Sequence, residues 1–401
     1  MVTYIKKLLR TNKIVLIIIL LAFFVSDNVC NTFGIKLPSY KFVLFIMCIL
    51  SLSKIKNVYN TLPQSIYLLA FCVLYTIFKI ATGGQAGNTM MGMTVILPVF
   101  IYVTYRALEK DSNAYVYKKT LYLAYMAECL IAIFERVTHS HLFQWQSDTD
   151  TIEYVMDFDV TEFRSFGLYG HPLQNAVVIV VFILFILVYE RNVRKKYALS
   201  ILGALAILCF NTRAAIVVSS VCVVLYTIYW LRTEKVSGSS KMILLVIFCG
   251  LVGSVYYLFS QGLIGGRLSS MGLYDEDSAG VRVQALDIFR YYKMSDFIFG
   301  ISQQEIDILK FRLGLIAVEN FWLNWMLSYG CVFIIGLVVL YYPLLKKLLK
   351  NNTLFEKVFL FVPFILLAST NPSLAVSIIP MTSFLLLSRV MPLANIEKKN
   401  R

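Results

Sequence analysis

Apolar runs long enough to cross a bilayer recur along the whole of this chain, and that recurrence restricts the possible folds more than any other feature. A helix needs about 20 mostly apolar residues to cross the hydrocarbon core. The 401 residues, 59% hydrophobic and 15% charged, supply such runs repeatedly. A transmembrane barrel would instead alternate apolar and polar residues over segments of about ten, and continuous runs such as Val177 to Val188 exclude that. The chain reads as an all-α polytopic membrane protein of about 12 transmembrane helices, one integral membrane unit over residues 1–401.

The spans fall at 14–33, 37–53, 63–81, 90–108, 120–137, 172–189, 197–212, 214–231, 242–260, 319–341, 354–370 and 373–391. The first follows Lys6, Lys7, Arg10 and Lys13, as the core of a signal peptide would. It lacks a small-residue cleavage site, so it is expected to remain as a helix. Only Asn211-Thr212-Arg213 separates the seventh span from the eighth, and a single kinked helix is the alternative there. Basic flanks, Arg191 to Lys196 before and Arg232 with Lys235 after, favour two crossings and an outer Arg213.

Charge fits the same topology. The net +14 comes mostly from lysines and arginines in short loops on one side, which the positive-inside rule makes cytoplasmic together with both termini. The basic excess therefore needs no nucleic acid. All eight cysteines lie in or at the ends of apolar runs, so no disulfide framework or zinc site is expected. No internal repeat is visible, which counts against transporters built from repeated halves.

Two outer connections are long. The first, 138–171, holds the three histidines His139, His141 and His171 with Asp148, Asp150, Glu153, Asp157, Asp159 and Glu162. These side chains can ligate metals. However, they lack the spacing and the glycine of a calcium loop, so a solvated acidic run is the reading adopted and no metal is expected. The loop closes on Arg164-Ser165-Phe166-Gly167-Leu168-Tyr169-Gly170-His171-Pro172, where two glycines and a His-Pro step make a tight, irregular backbone above the sixth span.

The second, 261–318, is the longest polar stretch and mixes both charge signs. Asp277-Ser278 supplies a helix cap, and Val281, Ala285, Ile288, Phe289 and Tyr292 recur at helical spacing, which predicts an amphipathic helix over Ala279 to Lys293. Arg282 and Lys293 would share a face of it. Its cations would meet either lipid headgroups or a substrate phosphate held in the membrane.

Few ionisable residues lie within spans: Asp27, Lys79 and Glu128 are the ones singled out. Lys79, near a span end, is expected to snorkel to the interface. Glu128, in mid-span, reaches neither surface and either lines a polar cavity or makes a structural hydrogen bond.

The outer features combine into one chemistry. Arg164, Arg213 and Arg282 can bind phosphate oxygens through permanently charged, bidentate guanidinium groups and stabilise a departing pyrophosphate. Glu319, at the top of a span, has the partly desolvated position of a general base. His171, Asn320, Arg267 and Lys293, with Arg164, are the further candidates for holding substrate.

Three short motifs resemble those of the bacterial family of O-antigen polymerases (Wzy-type) and O-antigen ligases. Arg164 to Pro172 is similar to the family's Arg, Gly and Gly-His-Pro pattern, and Asn211-Thr212-Arg213-Ala214-Ala215 to its Ser-Arg-Gly/Ala turn. Glu319-Asn320, followed after nine residues by Gly330, is similar to the ligases' His-Asn motif. Glu319 stands where the ligases have histidine, which favours a polymerase.

The resemblance implies a metal-independent, GT-C-like glycosyltransferase of the bacterial inner membrane that uses no cofactor. Its partners would be an undecaprenyl-pyrophosphate-linked glycan donor and acceptor, membrane lipid and a chain-length regulator protein. Arg213 and Arg282 would bind the donor pyrophosphate, with Glu319 at the acceptor hydroxyl. The rival readings are an O-antigen ligase acting on lipid A core and a flippase of the lipid-linked unit. A flippase should carry polar residues along its spans.

Overall fold

The computed structural model describes residues 13–34, 63–81, 95–109, 113–143, 163–233, 285–315, 320–370 and 377–399, with single positions 44, 46, 49, 318 and 374. Every regular element among them is helical. The helices are α1 (Lys13–Phe24), α2 (Asp27–Thr32), α3 (Pro63–Ala81), α4 (Leu97–Leu108), α5 (Ala114–Thr138), α6 (Pro172–Tyr189), α7 (Val193–Phe210) and α8 (Arg213–Thr233). After them come α9 (Ile288–Tyr291), α10 (Asp296–Phe299), α11 (Gln303–Arg312), α12 (Phe321–Leu348), α13 (Leu354–Ser369) and α14 (Ile379–Lys399).

The molecule is arranged around α6, which is apolar on every side and so must be enclosed. Pro172 at its first position suits the orphan N–H there, and every residue from Ala176 to Leu187 is at most 1% exposed. Helices α5, α7, α8, α13 and α14 surround it. Among the described residues five helices, α3, α6, α8, α12 and α14, are long and apolar enough to cross a membrane. The outward faces of α3, α8 and α12 are greasy: Leu74, Ile77, Val217, Val221, Leu225, Ile335 and Val339 are each at least half exposed. Exposed apolar area on this scale suits a lipid environment and not water. The expected span at 242–260, and nearly all of that at 37–53, lie outside the described residues.

At the helix level one expectation changes and another is met. The first span is not one helix, because α1 stops at Phe24 and Ser26 caps a second short helix by accepting from Val29 N at 3.2 Å. Asp27 then occupies the first turn of α2, where a negative charge meets the positive end of the helix dipole. The seventh and eighth segments are two helices and not one kinked helix. Asn211 takes a left-handed conformation (φ 51°) that ends α7, and α8 returns antiparallel. The Tyr197 and Thr227 hydroxyls, 3.2 Å apart, join the far ends of that hairpin.

The segment expected as the second outer loop departs further. Of the amphipathic helix expected over Ala279 to Lys293, the described part is a 3-10 turn, Ala285–Asp287, and one helical turn that ends at Tyr291. Tyr292 is extended and Lys293 lies beyond the helix, its N–H donating to Asp296 Oδ2 at 2.9 Å. The apolar residues close instead on a small core of their own, in which Ile288, Phe297, Ile306 and Leu309 pack against Leu323 and Leu327 of α12. The longest described helix of this segment, α11, begins with a capping box between Ser302 and Glu305.

This small core is seated in a break of α12. Gly330 has φ 84°, and an added Cβ there would sit on the carbonyl of Ile298. The backbones of 298–301 and 327–330 run side by side, with Ile301 N donating to Leu327 O at 2.7 Å. Broken helices free carbonyls that lipid cannot satisfy. Two side chains one turn apart on α3 supply the donors: the Tyr75 hydroxyl to Tyr329 O, and Lys79 Nζ to Phe299 O at 2.9 Å. Lys79 is 4% exposed, so it does not snorkel; its ammonium closes the C-terminal end of α10.

If that bond holds the segment, Lys79→Met will lower stability in detergent by about 1–3 kcal/mol, since it orphans a buried carbonyl while making α3 more apolar. A snorkelling lysine would give a neutral or stabilised variant in the same thermal-melting measurement.

Candidate functional site

Residues 163–171 run without regular structure beside three helix ends, so their backbone groups need side-chain partners. Helix α5 provides them from one face, where Glu128, Ala132 and Glu135 follow at spacings of four and three. Glu135 Oε2 accepts from Phe166 N at 2.7 Å and Gly167 N at 2.9 Å, and its Oε1 from Leu142 N at 2.8 Å. Glu128 Oε2 accepts from Leu168 N at 2.8 Å. The Ser165 hydroxyl donates to Ala132 O at 2.7 Å, and Asn175 Nδ2 of α6 donates to Phe166 O. Both carboxylates are fully buried. Of the two roles open to Glu128, its Oε2 takes the structural hydrogen bond.

Gly167 is required by this arrangement: its φ is 56°, and an added Cβ would sit on Glu128 Oε1. On the other side the segment is tied to the end of α7. Ser165 N donates to Cys209 O at 3.1 Å, and Arg164 Nε to Phe210 O at 3.2 Å. Arg136 clamps the entry by donating to Phe163 O at 2.6 Å. His141 stacks on Phe163 and Phe166 at centroid distances of 4.9 and 3.9 Å. Its ring thus packs over the segment entry.

His171 caps α6, with Nδ1 accepting from Leu173 N at 3.2 Å. That bond requires an unprotonated Nδ1, so the ring proton sits on Nε2 as a donor. Burial, and then the neighbouring Arg164 charge, push its pKa down to about 4. Asn28 of α2 lies over Gly170, and its Nδ2 is buried without an acceptor among the described residues. Glu128 Oε1, Asn175 Oδ1, both side-chain polar atoms of Asn211 and the Thr212 hydroxyl are likewise buried and unpartnered. Native interiors rarely leave such groups unpaired, and here they gather beneath one surface.

The remaining helices can be oriented from contacts at the opposite end. Asn395 Nδ2 donates to Tyr189 O at 2.6 Å and the Tyr189 hydroxyl to Asn352 Oδ1 at 2.7 Å, so the end of α14 and the start of α13 lie at the end of α6. The end of α13 therefore lies by the start of α6. Trp322 Nε1 donates to Ser369 Oγ at 2.8 Å, which brings the start of α12 there as well. Arg164, His171, Arg213 and Asn320 thus share one end of the bundle, and α6, α8, α12 and α14 all begin there. Their dipoles direct positive potential at it.

Asn320 is not free to bind substrate through its oxygen: Oδ1 caps α12 by accepting from Trp322 N and Leu323 N at 2.9 and 3.2 Å. Lys293 is exposed and off the helix that was to pair it with Arg282. Arg282, Arg267 and Glu319 lie outside the described residues, as does the acidic run from Asp148 to Glu162. The residues that build the mouth and escaped the sequence reading are Glu135, Asn28 and Asn175. Glu135 was detectable, since a second carboxylate seven residues from Glu128 lies on the same helix face inside an apolar segment.

A depressed histidine pKa has a definite consequence for stability. The folded state keeps His171 neutral while the unfolded chain takes up a proton below about 6.5, so stability present above that pH is lost as pH falls toward 4. His171→Asn retains a capping side chain that does not titrate. Thermal melting from pH 7 to 4 should fall more steeply for the wild type than for this variant, and parallel curves would count against the assignment.

No protein-family model matches the chain, and no curated protein matches its sequence.

Proposed function

We propose that this protein is a multi-pass glycosyltransferase of the bacterial cytoplasmic membrane that polymerises oligosaccharide units linked to undecaprenyl pyrophosphate, on the outer face. In this reading the chain crosses the membrane twelve times with both termini in the cytoplasm. The observation that carries the reading is the gathering of Arg164, Arg213 and the starts of α6, α8, α12 and α14 at one end of the bundle. Fixed cations and helix N-termini together favour a multiply charged anion at the membrane surface. The motifs resembling the polymerase and ligase family fall on those same elements.

The acceptor hydroxyl attacks the anomeric carbon of the growing chain, and the bond from that carbon to the carrier pyrophosphate breaks with inversion. Arg213 and Arg282 take up the charge of the departing pyrophosphate. Glu319 receives the hydroxyl proton. His171, neutral at pH 7, contributes an Nε2–H donor beside Arg164 and adds no charge that would vary with pH.

Deletion of the gene, followed by electrophoresis of surface glycan, tests this directly. Lipid A core or its equivalent should carry single repeat units without a ladder. Arg213→Ala should lose chain extension by about 10²–10³ in rate, the scale of removing one transition-state donor, with normal membrane insertion. A persisting ladder, or long polymer accumulating on the carrier lipid, would contradict the polymerase reading.

A further inference from the structure

An open groove of about 510 Å³ runs between α12 and α13 and is floored by Met381 and Phe384 of α14. The two helices form an antiparallel hairpin, joined at its far end by Trp322 and Ser369. Ile334, Val338 and Tyr342 recur at spacings of four along one wall, and Val358, Val362 and Ile365 at four and three along the other, so both walls are continuous apolar faces. The groove is within the size range of a small-molecule site. It opens sideways, where α12 and α13 leave Val338, Tyr342, Val358 and Val362 exposed.

Its two ends differ chemically. Trp322 and Trp325 line the end near the mouth; Trp322 is bonded to Ser369. Lys346 and Lys357 line the other end. Neither ammonium pairs with a carboxylate among the described residues. Glu356, their neighbour in sequence, is occupied in the capping box of α13, where it accepts from Thr353 N at 2.9 Å and Asn352 Nδ2 at 3.3 Å. Lys347 and Lys350 add charge close by. Two cations that make no salt bridge among the described residues, set at one end of an apolar groove in the face of a membrane protein, match an acidic headgroup with acyl chains attached.

We infer that the groove between α12 and α13 is a retained site for one anionic diacyl phospholipid, its phosphate at Lys346 and Lys357 and its chains along the hairpin. This lipid is separate from the glycan carrier. The cations lie at the end of the bundle opposite to Arg164 and Arg213, so its headgroup faces the other leaflet. The site lies within the hairpin that carries Asn320 at its far end, and it does not depend on the glycan reading.

The test is native mass spectrometry of the full-length protein in mild detergent, titrated with dioleoylphosphatidylglycerol, dioleoylphosphatidylcholine or undecaprenyl phosphate. One phosphatidylglycerol should be retained, and bound about thirtyfold more tightly than phosphatidylcholine, from roughly two lysine contacts. Lys346→Gln with Lys357→Gln should remove that preference. Val338→Trp, which fills the groove and leaves the charges intact, should displace the lipid from protein that still melts cooperatively. Equal binding of the two phospholipids, unchanged preference in the lysine variant, or stronger retention of undecaprenyl phosphate would overturn the assignment.

Discussion

Irregular backbone at the edge of a membrane has to be paid for in hydrogen bonds, and in this protein the acceptors are two buried carboxylates. Glu128 and Glu135 project from one face of α5 and take the N–H groups of Phe166, Gly167 and Leu168. Without them the segment from Phe163 to His171 would expose donors to an apolar interior, at a cost of about 1–3 kcal/mol for each. With them it is locked between α5, α6 and the turn of α7 and α8. The rest of the mouth follows from that lock, because the same segment carries Arg164 to the end of α7 and sets His171 as the cap of α6.

A second irregularity is solved by the same physics with the opposite partners. Where α12 breaks at Gly330 and α10 ends at Gly300, the orphaned groups are carbonyls, so the side chains that answer them are donors. Tyr75 and Lys79 stand one turn apart on α3 and reach both breaks. The two solutions link the irregular segments to the helical bundle. They also explain why Glu128, Glu135 and Lys79 occur inside these helices: each of the three is matched to a backbone irregularity.

Hydropathy made the frame legible. The run at 172–189 became a helix with those bounds, and Arg213 does mark a turn between two helices, because length and flanking charge register directly in sequence. Partnership was harder to read. Lys79 looked like an interfacial lysine since its acceptor, Phe299 O, lies 220 residues away. The helix expected over Ala279 to Lys293 followed a real periodicity, but tertiary packing of Phe297 and Ile288 ended it at Tyr291. Ser302 and Glu305 have the spacing of a capping box, a signal in the sequence for the start of α11. For the candidate site, the motifs located Arg164, His171 and Arg213, while Glu135 and Asn28, which shape the mouth, carry no motif of their own.

The central claim is that 163–171 is an integral, hydrogen-bonded part of the bundle and presents its charged residues from a fixed backbone. Hydrogen–deuterium exchange of the full-length protein in lipid nanodiscs measures this at the amides concerned. Phe166, Gly167 and Leu168 should exchange as slowly as the interior of α6, since their N–H groups are buried on carboxylates. Exchange at the rate of an unstructured loop would contradict the account.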